Sequence, residues 1–205
     1  MTRRTKEIYK KSRKPVIAII CEGRNQTETK FFRHFQSREN KYNLKIFSSE
    51  STDPSNMTKK AKQIIKENEL DNEIGDRVFC LIDLDLSITQ LNKVEREKYN
   101  QHRTKCKIEY ILSNPCFEIW LLYYFTDSPR VENSSQKVKE QLKHYVPNYT
   151  ESYDIIQECE LQEKHACAIN RSDKRNLLTE GQSLLNRNPY TEMQELLDTL
   201  IQYNK

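Results

Sequence analysis

The chain has 205 residues, of which 31% are charged and 36% hydrophobic, with only three glycines. That length supports one main hydrophobic core with a helical appendage, and the composition excludes a disordered or fibrous chain. No stretch approaches the roughly 20 apolar residues of a membrane span, and the start lacks the apolar segment of a secretory signal, so a cytoplasmic protein is expected.

The net charge of +4 is unevenly placed. Residues 1–14 carry seven basic side chains (Arg3, Arg4, Lys6, Lys10, Lys11, Arg13, Lys14) against one acid, Glu7, which leaves the rest of the chain at −2. A basic arm of this kind suits a phosphate backbone, where each neutralised phosphate releases counterions; the bland alternative is a solvated tail. Arg3, Arg4, Lys10, Lys11, Arg13 and Lys14 are the candidate nucleic-acid contacts. The six cysteines form no CxxC pair, and Cys21, Cys80 and Cys116 sit in apolar runs, as buried thiols do. Cys159, His165 and Cys167 have the right chemistry for zinc, but on one helix they would diverge, so no zinc is expected.

In chain order, Pro15 closes the arm and residues 16–21 form a β-branched apolar run, which predicts a strand buried on both faces and ending at Glu22-Gly23. Asn25 and Glu28 have capping spacing, and a helix over 26–37 turns Phe31, Phe32 and Phe35 inward. A short strand is predicted over 44–47. Asp53-Pro54 reads as a turn, with Ser55 or Asn56 capping a helix that buries Met57, Ala61, Ile64 and Ile65. Residues 71–76 read as a loop and 77–82 as a second buried strand ending in Asp83-Leu84-Asp85. A charged helix over 89–103 and a strand over 107–112 follow. Asn114 is expected to cap, and Pro115 to open, an apolar helix over 117–125.

Strands alternating with helices predict a mostly parallel sheet flanked by helices over residues 15–125. Residues 126–205 read as a helical extension packed on the same domain. Within it, Val138, Leu142 and Tyr145 mark one helix, 153–170 a second, and Thr191 to Gln194 a capping box opening a last helix with Met193, Leu196, Leu197, Leu200 and Ile201 at helical spacing.

Ligands of open parallel sheets bind beyond the carboxyl ends of the strands, where Glu22 and Asp83 fall. Residues two apart in an extended segment face one side, so Asp83 and Asp85 can present both carboxylates to one point. Three hard oxygen donors suit Mg²⁺ or Mn²⁺. On this reading Glu22, Asp83 and Asp85 are the metal-ligating and catalytic residues, with Glu22 as ligand or as general acid–base. Each acid taken alone is better explained as a solvated strand or helix cap. Three at one edge repel unless a cation neutralises them. Glu28 and Glu118 are possible accessories, each equally explained by the first turn of a helix, where the dipole favours negative charge. Arg24 is a candidate phosphate contact. Trp120 and the aromatic residues after it read as core.

Cys21-Glu22-Gly23 with Thr27-Glu28, then Asp83-Leu84-Asp85, resembles the Toprim domain of topoisomerases, primases and several defence nucleases. Residues 113–122 (SNPCFEIWLL) and the Asn188-Pro189-Tyr190-Thr191 entry to the last helix make the resemblance more specific, to the bacterial RloB family, over most of the chain from Pro15 onward. The resemblance implies a Toprim-like fold, a catalytic role for Glu22, metal binding by Asp83 and Asp85, and a place in restriction-linked, abortive-infection phage defence beside an ATPase partner. The expectation is therefore a Mg²⁺- or Mn²⁺-dependent nuclease acting on RNA or DNA. The alternatives are a non-catalytic module binding nucleic acid or a partner and, ranked last, a phosphatase using Asp83 as nucleophile. Phosphatases of that kind carry the aspartate pair on the first strand of the core, whereas here an earlier strand ends in Glu22.

Overall fold

A computed structural model describes residues 13–22, 26–101 and 104–205. The protein is α/β, built on a five-stranded sheet in the order β2-β1-β3-β4-β5. Strands β1 (Val16–Glu22), β2 (Asn43–Ser49), β3 (Arg77–Asp83) and β4 (Ile108–Asn114) are mutually parallel; β5 (Tyr190–Thr191) runs antiparallel to the end of β4. The helices are α1 (Gln26–Arg33), α2 (Pro54–Glu67), α3 (Ile88–Tyr99), α4 (Glu118–Leu122), α5 (Ser135–Tyr145), α6 (Ile155–Glu158), α7 (His165–Leu178) and α8 (Met193–Tyr203).

The period-2 alternation of β1 divides the core in two. Val16, Ala18 and Ile20 face Met57, Ala61 and Ile64 of α2 and Val94 of α3. Ile17, Ile19 and Cys21 face Phe31 and Phe32 of α1, Trp120 of α4, Leu142 of α5 and Leu197 of α8. A strand covered on both faces has no polar side to display, which is why β1 reads as an unbroken apolar run. Trp120 is fully buried. Cys21, Cys80, Cys106 and Cys116 are buried free thiols.

β5 covers only Ser113 and Asn114. Side chains occupy two further amides of the β4 edge: Gln101 Oε1 accepts from Ile108 N at 3.2 Å and Glu192 Oε2 from Leu112 N at 2.8 Å. These contacts occupy amides that would otherwise template another strand. At the opposite end of the sheet, Gly75 takes φ +86°, and a Cβ there would stand 3.3 Å from the Pro15 ring.

Several local expectations change. The α2 cap is Asp53, whose side chain accepts from Ser55 N and Asn56 N, with Pro54 as the first helical residue. Asn114 caps no helix; it ends β4, followed by a cis peptide to Pro115. Its buried amide donates to the carbonyls of Leu184, Leu185 and Arg187 and accepts from Leu86 N. The helix beyond it spans only Glu118–Leu122. The helix expected over 153–170 breaks at Glu160 (φ +50°), where Leu161 N returns to Ile156 O at 3.0 Å and both Ile156 and Leu161 become fully buried. Thr191 belongs to β5, and its Oγ1 accepts from Met193 N at 3.2 Å, while Gln194 turns away to accept from Ser172.

Candidate functional site

The carboxyl ends of β1 and β3 stand side by side in the centre of the sheet and place Glu22 next to Asp83. Asp85 does not arrive as expected. β3 stops at Asp83, and Asp85 and Leu86 adopt left-handed backbone at φ +48° and +57°. The end of β4 imposes this turn: Ser113 O accepts from Leu84 N, Pro115 O from Asp85 N, and the Asn114 side chain from Leu86 N. Left-handed conformations cost an L-residue roughly 1–2 kcal/mol each and persist where surrounding contacts over-determine them. The exposed Asp85 carboxylate accepts from Ser135 Oγ at 2.5 Å, at the start of α5.

Two further acids complete the cluster. Glu28, in the first turn of α1, is 4% exposed, and its Oε2 has no hydrogen-bond partner among the described residues. Glu118, in the first turn of α4, is 3% exposed and accepts from Tyr149 OH at 3.0 Å. Neither is a solvated helix cap. Burial raises the Glu28 carboxyl well above its ordinary range, helped by the negative charges of Asp83, Glu118 and Glu22. Burial likewise raises Asp83, with Glu118, Asp85 and Glu22 adding to the shift. Five carboxylates therefore share one electrostatic environment at this edge.

Lys139, from the middle of α5, opposes them, and nothing in its sequence context marks it. Its Nζ lies 3.7 Å from Glu118 Oε1 and 2.5 Å from Glu151 Oε1. Burial pulls its pKa down, but the attraction of Glu118 and Glu151 outweighs that and leaves it raised. The segment after α5 straps one side of the site. Thr27 Oγ1 donates to Glu151 O at 3.0 Å, Lys30 Nζ to Ser152 O, and His34 pairs with Asp154 at 2.8 Å. Tyr149, in the same strap, is raised by burial and then by the nearby charge of Glu118.

Among the described residues, no three His, Cys, Asp or Glu side chains already stand in a geometry that holds a metal ion. The donor set nonetheless fits a hard divalent cation: every acidic group offers oxygen, and the buried Glu28 Oε2 lacks a partner among the described residues. Glu22, Asp83 and Asp85 would hold such an ion, with Glu28 and Glu118 supplying further oxygens.

The last two residues of the basic arm have partners within the fold. Arg13 makes a two-pronged pair with the fully buried Asp76, at 2.8 and 2.5 Å, and Lys14 Nζ donates to Arg38 O and Asn40 O. Both side chains secure the amino end of the sheet, seven residues of β1 away from Glu22, and so are not contacts beside the carboxylates. Arg3, Arg4, Lys10 and Lys11, with Arg24 and the Asn25 cap, lie outside the described residues. No helix among the described residues is long and apolar enough to cross a membrane.

Fold and site together define an α/β protein with an acidic cluster at the carboxyl edge of a mostly parallel sheet. The RloB-like protein family matches residues 17–200, so the chain belongs to that family. No curated protein and no solved structure matches it.

Proposed function

We propose that this protein is a metal-dependent nuclease that cleaves RNA or DNA phosphodiesters in bacterial phage defence, with Mg²⁺ or Mn²⁺ as cofactor and an ATPase as partner. The observation that carries this reading is the convergence of Glu22, Glu28, Asp83, Asp85 and Glu118, with one buried carboxylate oxygen that has no hydrogen-bond partner among the described residues. A folded chain tolerates such mutual repulsion poorly unless a cation joins it. The defence role and the ATPase rest on the Toprim and RloB resemblance.

A divalent ion bound there would act as a Lewis acid on the phosphodiester and lower the pKa of a bound water. Glu22, the residue to which the resemblance gives the catalytic role, takes the proton of the attacking water. Asp83, fixed at the end of β3, and Asp85, fixed by the left-handed turn, orient the site. Tyr149 positions Glu118 by donating its hydroxyl to Oε1.

Purified protein incubated with Mn²⁺ and labelled RNA, single-stranded DNA and duplex DNA should cut at least one of them. Cleavage should be lost in Glu22→Gln and Asp83→Asn; cleavage that survives both removes these residues from the mechanism. A second reading, a non-catalytic module that binds nucleic acid or a partner, is favoured by the fact that Lys139 already supplies a counter-charge. It predicts metal-independent binding, no turnover, and weakening with salt and on deletion of residues 1–12.

A further inference from the structure

We propose that Lys139 is a phosphate ligand of this site, held on Glu151 and handed to a nucleic-acid phosphate when substrate arrives. The inference rests on the nuclease reading and assigns a role to a residue outside the acidic set. Its two partners differ in a way that matters. Glu118 is buried, and the oxygen nearest Lys139 already accepts from Tyr149. The Glu151 side chain is 44% exposed, while that of Lys139 is only 20% exposed. An ion pair at a solvated rim is weak and exchangeable. The lysine is thus half-buried, whereas the partner holding it most closely is at the surface.

Lysine suits such an exchange because its ammonium is a compact charge on a flexible stem, able to turn from one oxygen to another without a fixed fork geometry. The strap fixes the backbone of Glu151 through Thr27, so the carboxylate stays close enough to hold the ammonium between turnovers. A phosphate placed over Asp83 would meet Lys139 from the side of Glu118, since Glu118 acts electrostatically on Asp83 and lies 3.7 Å from the ammonium. A cation among the carboxylates would weaken their pull on Lys139 and favour the transfer. A structural role alone, neutralising Glu118, would leave Lys139 without influence on bound phosphate.

The test uses the full chain, with Mn²⁺ titrated alone by calorimetry and a fluorescent single-stranded oligonucleotide bound in Ca²⁺ across a salt series. Lys139→Met should retain Mn²⁺ binding, bind the oligonucleotide about tenfold more weakly, and lower the slope of log K against log salt by about 0.7, the value for one phosphate contact on a single strand. Lys139→Arg should recover most of the slope. Glu151→Gln, which leaves the lysine in place, should bind the oligonucleotide as tightly as the parent or more tightly. A Lys139→Met protein with parental oligonucleotide affinity and slope overturns the proposal, as does a Glu151→Gln protein as impaired as Lys139→Met, since that marks the pair as structural. A parent protein that binds neither Mn²⁺ nor oligonucleotide overturns the nuclease reading and this inference with it.

Discussion

Replacing Asp83 by Asn should stabilise the metal-free protein while abolishing its response to metal. Asp83 faces the charges of Glu118, Asp85 and Glu22, with Lys139 opposing them. At about 5 Å and an effective dielectric of about 20, one like-charge pair costs about 3 kcal/mol. Three repulsions set against one attraction leave a net penalty, which the folded chain reduces by keeping a proton in the cluster and by side-chain relaxation. The gain on neutralising Asp83 with an isosteric amide should therefore be about 1–3 kcal/mol at pH 8, well below the pairwise sum. For a chain of this size each kcal/mol moves Tm by about 2–4 °C, so a rise of about 2–12 °C is expected in EDTA by differential scanning calorimetry. Mn²⁺ at a hundred times its dissociation constant should stabilise the parent by about 2.7 kcal/mol and the variant far less. An Asp83→Asn protein that melts below the parent in EDTA, or gains as much from Mn²⁺, would refute the electrostatic account of this edge.

The pH dependence of the metal-free parent follows from the same groups. Burial and neighbouring acids raise Asp83 and Glu28 well above the ordinary carboxylate range, so above that range the folded state holds more protons than the unfolded one, and stability falls as pH rises through the raised pKa values. Denaturant melts in EDTA from pH 5 to 9 should show this decline, and it should flatten in Glu28→Gln. Asp76→Ala should cost about 3–5 kcal/mol by urea denaturation, because Arg13, Val16 N and Asp71 N all converge on that buried carboxylate. Asn114→Ala should cost about 2–4 kcal/mol and also weaken Mn²⁺ binding by calorimetry, since the Asn114 amide both ties down residues 184–187 and accepts from the turn that carries Asp85. Loss of stability with unchanged Mn²⁺ affinity would separate that turn from the site.

Much of the scaffold was legible without coordinates. The apolar runs at 16–21 and 77–82 are the central strands β1 and β3, and Met193, Leu196, Leu197 and Leu200 form the buried stripe of α8. These signals are local: a strand buried on both faces, or a helix buried on one, must repeat its apolar residues at its own backbone period. The helix over 153–170 misled because periodicity does not register the break at Glu160, which long-range burial of Ile156 and Leu161 imposes. Asn114 looked like a helix cap because the chemistry that caps a helix also binds any orphaned carbonyl, and here those carbonyls lie 70 residues downstream.

The acidic edge divides in the same way. By itself, the sequence determined that Glu22 and Asp83 terminate strands, because a charge ends an apolar run, and a mostly parallel sheet then sets such ends side by side. Only the tertiary structure decided that Asp85 reaches the site from a left-handed turn, that Glu28 and Glu118 are buried members of the cluster, and that Lys139 and Tyr149 face it from segments far along the chain. Side-chain spacing records what one element repeats. The meeting of six separate segments at one point is set by how helices pack on both faces of the sheet, and no local period encodes it.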